Sequence, residues 1–387
     1  MNDCEKEKIL ILSATFGDGH KQVANAINEA IEFTLPNVEP IILDVMEWIH
    51  PSLYPVSNYF YRRIIKKFPQ VYSYLYKRTR EKNSFSVRLN TLFTVGMGSM
   101  LEILEKINPS VVVSTYPFAS SIMSKLKEQG LIDIPFVTII TDYTDHSFWI
   151  HPYTDQYIVG SNQIRDRLIC LGVESHKINN TGIPICQKFL KHQSRSILAP
   201  KYGLNSNKFT ILVMGGGDGF IGKGLSSFQA FEGLALQVQF IIICGRNKRL
   251  RKQIEEELKT SKHNFLVTGY CDCVNEMMAI SDLLISKPGG VTISEAMAME
   301  LPLLIYNPLP GQEEDNATFL VDAGLAFRAE NEKELITKIH SIIYDSIPLL
   351  SMKQKTRQYQ TKTASIDALD IILRTANRGR KDQMVVV

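Results

Sequence analysis

The chain has 387 residues, 44% hydrophobic, 21% charged and 9% aromatic, with a formal net charge of +3. At roughly 150 residues per domain that length predicts two or three domains, and the balance excludes disorder, a collagen-like repeat and a disulfide-stapled miniprotein. Six cysteines with no C-x-x-C pair, and no leader-like start, predict free thiols in a reducing cytoplasmic setting. Cys271 and Cys273 form only a C-x-C, too little for zinc, and no apolar run nears the ~18 residues that cross a bilayer.

Short β-branched runs alternate with helical stretches, the pattern of an α/β protein with parallel sheets. In the first half the expected strands are 8–15, 40–45, 110–115, 136–141 and 156–159. In the second they are 209–214, 240–244, 265–268, 283–286 and 303–306. Most are continuously apolar, as strands buried on both faces require. Between the two sets, 182–207 carries Pro184 and Pro200 with little periodicity and reads as an interdomain linker. The chain therefore divides into an N-terminal domain, 1–190, and a C-terminal domain, 191–387. Residues 332–378 read as helices before a polar tail, and the last helix could pack back on the first domain.

Each half opens with a strand running into glycines: 9–14 into Gly17-Asp18-Gly19-His20, and 209–214 into Gly215-Gly216-Gly217. The expected fold is two Rossmann-like doubly wound domains, with binding groups at their strand C-termini facing across a cleft.

Residues 217–222 spell G-x-G-x-x-G, whose glycines let backbone approach a pyrophosphate. No acid follows the next strand for a ribose; Arg246 stands there instead and could meet a 2′-phosphate, which keeps an NADP-dependent oxidoreductase open. Gly217 and Gly222-Lys223 also have Walker A spacing, but Gly224 replaces the magnesium-binding hydroxyl. A glycine-rich turn with no ligand is the plain alternative.

More informative is the run Lys287, Pro288, Gly289, Gly290, Val291, Thr292, Ile293, Ser294, Glu295. Its glycines permit a tight turn, and the helix that follows offers unpaired N–H groups to a diphosphate. Glu295, one turn in, could accept hydrogen bonds from ribose hydroxyls. Gly311, Gln312, Glu313 and Asn316 supply groups for a hexose. In the first half His20 sits at a strand-to-helix turn, where the helix end disfavours the imidazolium and leaves a proton acceptor. Asp142 leaves a buried strand at its functional end. Asp142, Asp145, His146 and His151 could also be metal ligands, and a cap or packed surface residue is the plain reading of His20.

Together these motifs resemble the diacylglycerol glycosyltransferases, the family of processive diacylglycerol glucosyltransferases and monogalactosyldiacylglycerol synthases. The similarity runs in order through Gly17 to His20, Thr141-Asp142 with His146, Trp149 and His151, Thr181 to Pro184, Gly269-Tyr270, Lys287 to Ala296, and Pro310 to Asn316. It implies a GT-B fold and inverting transfer of a hexose, glucose before galactose, from UDP-glucose or UDP-galactose to diacylglycerol, with no metal or other cofactor. By position it places Gly269, Tyr270 and Lys287 to Glu295 at the nucleotide and Gln312 and Glu313 at the sugar; Gly217 and Arg246, where the chain departs from the family's pattern, join the donor site from the reading of their glycine-rich loop alone. His20 and Asp142 then carry the chemistry, and Gly19, His146, Trp149 and His151 face the acceptor lipid. A non-catalytic lipid-surface protein on the same fold is the remaining alternative.

Charge is distributed unevenly. Residues 58–88 carry Arg62, Arg63, Lys66, Lys67, Lys77, Arg78, Arg80, Lys82 and Arg88 against Glu81 alone, interleaved with aromatics such as Tyr72, Tyr74 and Tyr76. That composition suits anionic membrane lipids, each cation adding ~1 kcal/mol near the surface, before single-stranded nucleic acid or a solvated helix face. The expected location is peripheral, on the cytoplasmic side of the cell membrane.

Overall fold

The computed structural model describes residues 6–15, 17–49, 69–80, 96–217, 219, 228–234, 238–359 and 362–385. The chain folds as two compact units, Met1–Gln187 with Thr363–Val387, and Lys188–Lys362.

The first unit is built on β1 (Glu7–Ser13), β2 (Val38–Asp44), β3 (Val111–Ser114), β4 (Phe136–Ile139), β5 (Gln156–Val159) and β6 (Ile178–Asn180), in the spatial order β2-β1-β3-β4-β5-β6. Every pairing is parallel. Ile9 to Ile11 and Val111 to Val113 have no exposed surface, because crossover helices cover both faces of such a sheet. The helix Asp18–Thr34 returns β1 to β2 and buries Val23, Ala24, Ala26, Ile27, Ala30 and Ile31, one stripe at helical spacing. The C-terminal helix Ala364–Val385 packs on that helix and on β3.

The second unit repeats the plan with β7 (Thr210–Met214), β8 (Gln239–Ile243), β9 (Asn264–Thr268), β10 (Leu283–Ser286), β11 (Leu303–Tyr306) and β12 (Ala326–Ala329), ordered β12-β11-β10-β7-β8-β9 and parallel throughout. In each sheet the order reverses once, between β1 and β3 and between β7 and β10. Chain leaving the two strands at such a point diverges, which opens a crevice at their C-terminal ends. Gly17 to His20 and Thr115 fall at the first crevice, Gly215 to Gly217 and Lys287 to Gly290 at the second.

Each strand expected from the sequence is present, with ends shifted by up to two residues. Two strands escaped the pattern, β6 and β12. Both lie at sheet edges, where one side lacks a neighbour and the apolar run shortens. β4 ends at Ile139 rather than 141, which frees Thr141 and Asp142 from the ladder. The stretch 182–207 is no plain linker: it holds a helix, Arg195–Lys201, anchored by an Arg195–Asp282 ion pair at 2.6 Å, and the boundary between units falls at Lys188.

The glycine-rich loop after β7 has a packing role. Gly219 and Gly245 hold φ of 64° and 55°. A Cβ on Gly219 would overlap the Cys244 carbonyl, and one on Gly245 the Gly217 carbonyl. The Arg246 N–H donates to that Gly217 carbonyl at 2.8 Å. Of the 217–222 motif, only Gly217 and Gly219 lie within the described residues. Gly245→Ala should therefore destabilise the second unit by more than ~1 kcal/mol in urea unfolding, while Gly233→Ala, where a Cβ meets nothing within 4 Å, should stay within ~0.5 kcal/mol.

Candidate active site

At the C-terminal ends of β1, β3 and β4 the first unit gathers His20, Thr115, Tyr116, Thr141, Asp142 and Trp149. His20 follows Gly19 in the first turn of the helix Asp18–Thr34. Its Nδ1 lies 3.0 Å from the Thr141 hydroxyl, and its carbonyl accepts from Thr115 Oγ1 at 3.1 Å. The ring stands edge-on to Tyr116 at 5.2 Å and 6.0 Å from Trp149. Burial holds the imidazole pKa below its ordinary value, against the pull of the Asp142 charge. The positive end of the helix acts in the same direction as burial. His20 is thus held neutral beside a carboxylate only 3% exposed.

His146 and His151 have structural tasks that the sequence did not show. His146 accepts the Phe148 N–H on Nδ1 at 3.2 Å and donates from Nε2 to the Tyr76 carbonyl at 3.0 Å. Its ring lies between Tyr76 at 4.3 Å and Phe148 at 4.6 Å. His151 donates from Nε2 to the Phe148 carbonyl at 2.9 Å, and its N–H donates to the Tyr157 hydroxyl. Both rings fasten the loop after Asp142. Trp149, 4% exposed, packs with Ile140, Ile164 and Leu168.

The same loop ties down the helix Pro69–Thr79. Tyr76 meets the Thr144 hydroxyl at 3.1 Å, Ser147 donates to the Thr79 carbonyl, and Arg80 pairs with Asp145 at 2.6 Å. Arg80 is therefore a structural cation of the basic stretch. Val71, Tyr74, Leu75, Lys77 and Arg78 remain exposed, with Arg78 donating to the Tyr74 hydroxyl. Tyr72 lies beside Tyr76. Arg62, Arg63, Lys66 and Lys67 fall outside the described residues.

In the second unit the helix Gly290–Ala298 starts at the crevice after β10, capped by Gly289 without a side-chain bond. Pro288 is held from beneath: Asn316, fully buried, donates to its carbonyl at 2.9 Å. Ser294, also fully buried, donates to the Gly290 carbonyl within the helix. Both residues shape the turn from inside, where the sequence had put them on the ligand, and Val291 is 6% exposed. Lys287 and Glu313 form an ion pair at 2.8 Å, and Glu313 also accepts the Leu309 N–H. Gly311, at φ 108°, caps the helix Gln312–Asp322. Arg246 lies over the Tyr270 ring at 4.6 Å, an exposed stack next to Gly269 and worth ~0.5–1 kcal/mol.

Glu295 is the outlier. It is 8% exposed, and among the described residues no hydrogen bond reaches its carboxyl. Desolvation pushes its pKa up to about 8, with Lys188 opposing. A nearly buried acid whose oxygens still reach solvent is open to hydrogen-bond partners from a ligand. Lys188 lies in the stretch read as a linker, and no local signal ties it to Glu295. Thr141 did carry a signal, a hydroxyl closing an apolar strand.

Comparison with known proteins places this geometry. Residues 20–185 match the family model for monogalactosyldiacylglycerol (MGDG) synthase, and 210–372 match that for the glycosyltransferase family 28 C-terminal domain. A processive diacylglycerol beta-glucosyltransferase of Bacillus cereus (strain B4264) is 29% identical over 370 residues, 95% of this chain and 93% of the relative. One of Bacillus pumilus (strain SAFR-032) is 28% identical over 377 residues, 95% of this chain and 94% of the relative. Among solved structures, Acinetobacter baumannii MurG has a TM-score of 0.61 at 14% identity, covering 95% of this chain and 99% of its own. A Neisseria meningitidis UDP-GlcNAc 2-epimerase bound to UDP-GlcNAc has 0.61 at 16%, covering 95% and 100%. The fold is of the GT-B type, two Rossmann-like units.

The raised pKa of Glu295 has a consequence for stability. An unfolded glutamate releases its proton near 4.5, whereas the folded one keeps it to about 8. Between those values the folded state binds more protons, so this group's contribution to stability falls as pH rises. Glu295→Gln should match the wild type in urea unfolding at pH 5 and exceed it at pH 8 by up to a few kcal/mol.

Proposed function

From the matches of residues 20–185 and 210–372 to the two family models and the 29% identity to a processive diacylglycerol beta-glucosyltransferase, we propose that the chain is a diacylglycerol glycosyltransferase that moves a hexose, glucose in preference to galactose, from its UDP conjugate to the free hydroxyl of diacylglycerol, with inversion. The observation that carries the donor side is Glu295, a nearly buried carboxyl that makes no hydrogen bond among the described residues, one turn into a helix whose first N–H groups lack a side-chain cap. A diphosphate suits those N–H groups and two ribose hydroxyls suit the acid. Tyr270, with Arg246 over it, offers a face to the base, and Gln312 with Glu313 offers acceptors to hexose hydroxyls. The reaction needs no resident metal or other cofactor in this reading.

On the acceptor side, inverting transfer needs the attacking hydroxyl deprotonated on the face opposite departing UDP. His20 is the base: a neutral imidazole takes the proton as the oxygen bonds to the anomeric carbon and the bond to UDP breaks. The buried Asp142 carboxylate stabilises the imidazolium that forms. Exposed Val71, Tyr74 and Leu75 beside Lys77 and Arg78 support action at an anionic membrane surface, which this reading places on the cytoplasmic side, with no nucleic-acid partner.

Labelled UDP-glucose or UDP-galactose with dioleoylglycerol vesicles should yield glycosyldiacylglycerol, faster with glucose; no glycolipid from either donor overturns the reading, and tight NADPH binding by fluorescence titration would favour an oxidoreductase. His20→Ala and Asp142→Asn should each lower kcat by at least ~10²-fold, with UDP affinity in calorimetry better preserved in Asp142→Asn. Replacing Arg62, Arg63, Lys66, Lys67, Lys77 and Arg78 by Gln should weaken binding to anionic vesicles. High salt should reproduce that loss in the wild type, since exposed charges are screened beyond ~10 Å at 0.1 M.

A further inference from the structure

The Thr141 hydroxyl stands between the two groups of the acceptor site. Its oxygen is 3.0 Å from His20 Nδ1 and 3.4 Å from Asp142 Oδ2. A hydroxyl has one proton and can also accept. The Thr141 proton can go to only one neighbour, and of the two only the imidazole can donate back to its oxygen, because a carboxylate has no proton to give.

Two arrangements are available. If the proton goes to His20 Nδ1, the neutral ring carries its own proton on Nε2, and that nitrogen has no lone pair for an acceptor hydroxyl. If it goes to Asp142, the Thr141 oxygen accepts from Nδ1–H and Nε2 is bare. The contact with Asp142 is the longer, but it ends on a carboxylate, and hydrogen bonds to an ionised acceptor are roughly twice as strong as neutral ones. Asp142 is 3% exposed, so little water competes for that proton. Among the described residues the ring's one side-chain hydrogen-bond partner is the Thr141 hydroxyl on Nδ1, and the Thr115 backbone favours a proton on the ring without fixing which nitrogen holds it.

The backbone keeps the arrangement in place. Thr115 Oγ1, at the end of β3, donates to the His20 carbonyl, which fixes the first turn of the helix against the sheet. Thr141 is β-branched, with a stiff χ1, and is 3% exposed just past the end of β4.

We propose that Thr141 is a positioning residue that relays the Asp142 charge to His20 as a choice of tautomer, holding the ring proton on Nδ1 and leaving Nε2 to take the acceptor's proton. This rests on His20 acting as the base in the proposed function. It assigns Asp142 a second task, setting the direction of the Thr141 hydroxyl, beyond stabilising charge.

Nitrogen NMR of the full chain labelled with ¹⁵N-histidine distinguishes protonated from bare ring nitrogens, and His20→Gln identifies the His20 signals. In the wild type Nδ1 should be the protonated nitrogen and Nε2 bare. Thr141→Val should lose that preference and lower kcat by ~10²-fold with the donor KM unchanged. Thr141→Ser, which restores a hydroxyl, should recover the tautomer and most of the rate. Asp142→Asn, which removes the charged acceptor but keeps Thr141, should shift the proton toward Nε2 and serves if the valine variant fails to fold. A wild-type ring protonated on Nε2, or a tautomer unchanged in both Thr141→Val and Asp142→Asn, overturns the proposal. A tautomer that follows Thr141 in a chain making no glycolipid supports the relay and overturns the transfer reading instead.

Discussion

The constraint on which the molecule depends is that a parallel strand covered on both faces has no place for polar side chains except at its ends. Ile9 to Ile11, Val111 to Val113 and Ile211 to Val213 are wholly enclosed, and their N–H and C=O groups are satisfied by the ladder alone. Chemistry is therefore exported to the C-terminal ends of the strands, and the single reversal of strand order in each sheet decides which ends lie beside a crevice. His20 and Thr115 come from strands on either side of one reversal. Gly216 and Lys287 do so at the other, where a Cβ on the glycine would lie 3.4 Å from the lysine chain.

Burial then tunes these groups. Desolvation disfavours charge whatever its sign, so it lowers the pKa of His20 and raises that of Glu295. One physical term leaves a base with a lone pair in the first unit and a neutral acid able to donate as well as accept in the second. Their neighbours differ in character. His20 is held by Thr141 and faces Asp142, whereas among the described residues the charge acting on the Glu295 carboxyl is that of Lys188.

The glycines illustrate how one residue type serves two ends. Gly219 and Gly245 let two strand-end loops touch backbone to backbone, a requirement of packing that needs no ligand. Gly289 and Gly290 start a helix whose amide groups face the crevice. A formal glycine pattern does not separate these uses; the carbonyl that a Cβ would strike does.

What the sequence by itself determined was the order and type of the central elements, because periodicity and β-branching are local and both halves repeat them. It also placed His20, Asp142 and Lys287 shortly beyond apolar strands and Glu295 one turn into the helix after the last of them. The short edge strands β6 and β12 were illegible for the converse reason: partly exposed residues such as Asn180 and Arg328 carry no apolar signature. Only the tertiary structure decided which groups are engaged. His146 closes on Tyr76 and Phe148, Ser294 on Gly290, Asn316 on Pro288 and Thr141 on His20. The partners of His146, Asn316 and Thr141 include residues 28 to 121 positions away, and a hydrogen bond across such separations is set by how sheets and helices stack. Burial of Glu295 belongs to the same class, because exposure is a property of the packed neighbours and not of the residue.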